Sequence, residues 1–78
     1  MKYPDDLTPR EMETIGYLVR GIASKIIAAE MSISINTYYA NKRSIYIKTG
    51  THTVQELVWY ARRIGFNDDG IYTANKAT

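Results

Sequence analysis

Apolar residues come in four bursts along the chain, and each burst is closed by a turn signal. In the first, Met12, Ile15, Leu18 and Val19 fall three and four apart, the spacing of one helical face. The stretch "LTPRE" opens it as a helix start. Thr8 can cap, Pro9 suits the first helical position, and Glu11 stands three residues after Thr8 to close a capping box. Gly21 stops this helix in the manner of a left-handed cap. The second burst, "ASKIIAAEM", sets Ile27 and Met31 four apart and predicts a short helix from about Ser24 to Met31. After the turn "SIS", Ser34 can cap a third helix from about Ile35 to Thr49, with Tyr38, Asn41 and Ile45 inward and Gly50 at its end. The fourth burst, Val54, Leu57, Val58, Ala61 and Ile64, follows a second cap signal in Thr53 and Glu56 and stops at Gly65. Phe66 is expected to pack and the rest of the tail to fray. No convincing strand and no repeat is read, so the fold class is all-α with four helices.

Size and composition narrow the picture. A chain of 78 residues with 45% apolar content is one domain with a thin core. Residues 1–66 are read as that domain and 67–78 as a flexible tail. The absence of cysteine removes disulfide staples and thiolate zinc sites, and fits a reducing compartment. "MKYPDDLTPRE" puts acids where a signal peptide needs an apolar run, and no stretch approaches a membrane span of roughly 18 apolar residues. A soluble cytoplasmic protein without membrane contact is expected. Met1 stands almost directly before the domain, so a short stand-alone protein is expected, although a fragment of a longer one would read the same.

The net charge of +2 is small, but it is unevenly spread. Between Arg20 and Arg63 seven bases face two acids, a surplus of +5, while six of the eight acids lie outside. A basic centre suits a polyanion partner, and an unevenly solvated surface is the plainer account. The order of elements decides between them. A short helix, a tight turn and a longer acid-free helix with Lys42, Arg43 and Lys48 make the helix-turn-helix pattern, whose second helix enters the DNA major groove.

The residues themselves carry a resemblance. "LTPREMETIGYLVRG", "SKIIAAEMSISINTYYANKRSIYIKTG" and "QELVWYA" resemble the LuxR-type (GerE-like) DNA-binding domain, which typically opens Leu-Thr-x-Arg-Glu-x-Glu. Leu7, Thr8, Arg10, Glu11 and Glu13 match that opening. Gly21, Lys25, Ile27, Ala28, Ile33, Ser34, Thr37, Ile45, Lys48, Gly50, Glu56 and Leu57 match later positions in register, so the likeness runs from about Leu7 to Phe66. Departures fall at Ile26, where the family has an acid, and at Tyr38, Tyr39, Ala40 and Asn41, where it has valine-lysine-x-histidine. Thr49 and Thr51 replace its usual leucine and valine.

The resemblance implies a regulator of transcription that binds double-stranded DNA sequence-specifically. Tyr39, Ala40 and Arg43 would read bases. Ser24, Lys25, Asn36, Thr37, Lys42 and Lys48 would meet phosphates, although Lys48 equally suits the dipole at its helix end. Tyr38 is expected in the core. The family commonly dimerises through the fourth helix, which makes Gln55, Trp59 and Arg63 the expected homodimer surface; Trp59 could instead fold over the core edge. One alternative keeps the fold but pairs it with another LuxR-type regulator or RNA polymerase, to modulate that partner. Another is a domain like sigma-factor region four, against which the "TG…QELVWYA" helix argues. The chain shows no paired inward carboxylates, no nucleophile–base spacing and no phosphate loop, and its one histidine, His52, sits in a cap loop. No enzyme activity, metal or cofactor is expected.

Overall fold

Thr8 begins the first helix, α1 (Pro9–Val19), with a complete capping box. Its hydroxyl accepts from the Glu11 N–H at 3.1 Å, and the Glu11 carboxylate accepts from the Thr8 N–H at 2.8 Å. The structure, a computed structural model, describes residues 3–73. A 3-10 turn, Pro4–Asp6, precedes α1; then follow α2 (Ser24–Glu30), α3 (Ile35–Thr49) and α4 (Val54–Ile64). Among the described residues the only strand-like feature is an isolated antiparallel bridge between Phe66 and Tyr72. The expected all-α, four-helix order is present. The second helix ends one residue early, with Met31 as its cap.

The four apolar stripes meet in one core. Ile15, Ile27, Tyr38, Ile45, Leu57 and Ala61 are fully buried, and Leu7, Met12, Met31 and Phe66 nearly so. Each such aliphatic side chain contributes roughly 1.5–3 kcal/mol of burial, which is what holds a chain of this size. α1 packs on α4 and α3, and α2 packs on α3.

Polar contacts aim α3. The α2–α3 turn carries Ser32 at φ 57°, and the Arg10 guanidinium donates to the Met31 carbonyl at 2.9 Å, tying the turn to α1. Ser34 caps α3 by accepting from the Thr37 N–H at 3.1 Å. At the other end Gly50 adopts φ 69°, a left-handed cap that costs a side-chain-bearing residue strain. Near that end, Glu11 accepts from Lys48 at 2.8 Å and from Ser44 at 2.9 Å. α3 is therefore pinned to α1 at its C-terminal half and to α2 at its start.

The first part of the expected tail makes contacts with the domain. Residues 67–73 do not trail away: they close a turn over α1. The Asn67 N–H donates to the Ile71 carbonyl and the Thr73 N–H to the Gly65 carbonyl, while the Tyr72 ring packs between Phe66 and Tyr3. Aromatic packing on the N-terminal segment supplies the order that local periodicity did not announce. Residues 74–78 of the expected flexible tail lie outside the described residues.

Candidate nucleic-acid interface

α3 turns one side to the core and the other to solvent. Tyr38 and Ile45 are fully buried, Asn41 is half-buried, and Asn36, Ala40 and Arg43 are exposed. Tyr39 is 53% exposed, its ring tilted against Tyr38 at 5.4 Å between centroids. Buried Tyr38 thus props the exposed Tyr39. Ile47, which sequence reasoning did not single out, is the most exposed of the large apolar side chains on this helix. Its helical phase, about 180° from Tyr38, carried the signal.

The cations sort into two groups. Lys25, Lys42 and Arg43 form no ion pair among the described residues, and α3 contains no acid. The Lys42 ammonium lies 5.9 Å from the Tyr38 ring centroid and 5.8 Å from that of Tyr46, a geometry that steadies a long side chain. Burial, and secondarily Tyr38, push the Tyr46 phenol above its usual pKa, so it stays neutral beside Lys42. Lys48, expected at a phosphate, is already engaged: its ammonium is held by Glu11 and also donates to the Asp6 carbonyl at 3.2 Å, contacts that brace α3. Ser24, also expected at a phosphate, donates through its hydroxyl to the Tyr38 phenol at 3.3 Å. The Thr37 hydroxyl accepts from Ser34 at 3.0 Å and remains exposed, as does Asn36. The amides of Ile35 and Asn36, in the first helical turn, have no intrahelical acceptor and point outward along the helix axis.

The second expected surface lies on α4. Gln55, Trp59 and Arg63 recur every four residues and are all exposed. Trp59 is 61% exposed, so it does not fold over the core edge. The Arg63 guanidinium lies 5.8 Å from the Tyr60 ring centroid. An open groove of about 370 Å³ runs beside Trp59 and Arg63, between Glu56, Tyr60 and the Gly50–His52 loop. Among the described residues no cluster of side chains could hold a metal, and no helix is long and apolar enough to cross a membrane.

A short helix held at a fixed turn to a longer, acid-free helix whose outward side is cationic and aromatic defines a helix-turn-helix DNA-binding domain. Comparison with known proteins narrows the class. Residues 5–61 match the family described as "Bacterial regulatory proteins, luxR family", and the chain belongs to that family. It is 41% identical over 56 residues to the Fimbriae Z protein of Escherichia coli (strain K12), a match covering 72% of this chain and 27% of that protein. The probable transcriptional regulator ycf29 of Cyanophora paradoxa is 39% identical over 56 residues, with the same coverage, 72% and 27%. The transcriptional regulatory protein FixJ of Bradyrhizobium diazoefficiens is 33% identical over 63 residues, 81% of this chain and 31% of that one. The chain therefore spans under a third of the curated relatives it matches. No solved structure gives a significant match.

Proposed function

We propose that this domain is a sequence-specific double-stranded DNA-binding regulator of transcription, acting in the cytoplasm with α3 in the major groove. One observation carries the reading: the outward face of α3 combines unpaired Arg43 with Tyr39 and Ala40, without an acid on the helix. A groove about 12 Å wide admits a helix. Arg43 takes a guanine edge through both of its terminal nitrogens, Tyr39 donates through its hydroxyl or meets a thymine methyl, and small Ala40 lets the backbone approach. Lys25, Asn36, Thr37 and Lys42 meet phosphates. Two copies pair through Gln55, Trp59 and Arg63, setting two half-sites one helical turn apart. A modulator that acts only through another regulator draws no support from a face this cationic.

The test is a salt-titrated binding measurement on random-sequence duplex and on duplexes selected from a random pool. Log affinity is expected to fall linearly with log salt, with a slope of about −0.9 per phosphate contact. Lys42→Ala is expected to make that slope shallower by about 1 and to weaken all sequences alike. Arg43→Ala is expected to lose roughly 1–3 kcal/mol of discrimination at one base pair. No measurable duplex affinity at low salt rejects the proposal.

A further inference from the structure

We infer that Ile47 is a further specificity-determining residue, reading the 5-methyl group of a thymine beside the base taken by Arg43. This rests on the DNA-binding reading above. Ile47 is 73% exposed, more than any other large apolar side chain described. Exposure of this size on a thin-cored domain gains nothing in folding. Its position gives the reason. At about 100° per residue, Ile47 lies about 20° around the helix from both Asn36 and Ala40, and about 40° from Arg43. It is central to the outward face, one turn beyond Arg43. Around it, Arg43, Tyr46, Gly50, Thr51 and His52 edge a shallow cleft of about 290 Å³ that contains no acid.

The partner of such a spot must be anionic overall and yet offer a small apolar group. The acid-free helix with unpaired Arg43 and Lys42 selects the polyanion. On a polyanion with base edges, the thymine methyl is the apolar group exposed in the major groove. On a helix lying along the groove, residues three to four apart meet successive base pairs, and Ile47 stands four residues beyond Arg43. The methyl read by Ile47 is thus expected about one step from the base pair read by Arg43.

The experiment uses the full 78-residue chain. Duplexes are first enriched from a random pool. Each thymine of the enriched site is then replaced singly by deoxyuridine, which keeps every hydrogen-bonding edge and removes only the methyl. Wild type is expected to weaken about fourfold at one thymine, the worth of one buried methyl group. That thymine should stand about one step from the pair whose identity Arg43→Ala no longer distinguishes. Ile47→Ala is expected to bind wild-type DNA about fourfold more weakly and to be indifferent to the swap there, with unchanged thermal unfolding because the side chain packs against little. An Ile47→Ala variant with the full wild-type response to every uracil overturns the inference, as does a wild type indifferent at all positions or an enriched site without thymine. So does an Ile47→Ala variant that loses only a protein partner. A pool that enriches nothing is a separate result, which rejects DNA binding itself.

Discussion

Glu11 shows how much one side chain carries in a chain this short. Its carboxylate accepts from the Thr8 N–H, the Lys48 ammonium and the Ser44 hydroxyl, joining the first turn of α1 to the last turns of α3. Burial pushes its pKa up, but the hydrogen bonds from Lys48, Thr8 and Ser44 together pull it below the ordinary 4.5. A carboxyl whose folded pKa is depressed adds stability above its unfolded pKa and loses it as pH falls through the folded one. Urea unfolding followed by circular dichroism should therefore show wild type losing stability on acidification below about 4.5. Glu11→Gln should begin about 2 kcal/mol less stable at neutral pH and lack that acid-sensitive portion. Equal acid sensitivity in both proteins would assign the pH response to other groups. The local half of this arrangement was legible, because Thr8 and Glu11 are three residues apart. The partnership with Lys48 was not, since 37 residues separate the two and no periodicity encodes the meeting.

At the scale of elements, the helix boundaries were written in caps: Thr8, Ser34 and Thr53 each accept from the N–H three residues on, and Gly50 closes α3. The tail turn was not written there. Its seating depends on two glycines that meet across the fold. An ideal Cβ on Gly16, in the middle of α1, would stand 2.5 Å from the Gly70 carbonyl oxygen. Gly16→Ala gains helix propensity in α1 but cannot keep the turn in contact. A net loss of about 1 kcal/mol is expected, the clash outweighing the propensity gain. Amide exchange should show it directly, with the Asn67 and Thr73 N–H groups losing protection while α3 keeps its own. Retained protection at both amides would show that the turn accommodates the methyl.

At the scale of the whole molecule, exposed faces among the described residues include one on α3 and one on α4. The first is cationic and the second carries Trp59, 61% exposed. An exposed tryptophan flanked by Arg63 has the make-up of an interface anchor. Sedimentation should therefore find a dimer for wild type and a monomer for Trp59→Ala, with helix content unchanged because the side chain lies outside the core. A monomer in both rules out the α4 pairing. The two faces are separable: Arg43→Ala should leave the dimer intact.

The sequence by itself determined the helices, most of the inward stripe and the family, because caps and 3.6-residue periodicity are local and the matching residues keep their spacing; Val54, expected in the stripe of α4, is exposed, and Tyr60 is buried in its place. It also placed Tyr39, Ala40 and Arg43 outward. Tertiary structure alone decided which polar groups are already engaged. Lys48 and Ser24 look like free polar side chains as letters, and are found bonded once Glu11 and Tyr38 are brought against them. Ile47 carries no label in the sequence, and is surface because the inward arc of α3 is filled by Tyr38 and Ile45. A side chain's availability depends on neighbours distant in the chain, and only folding supplies those.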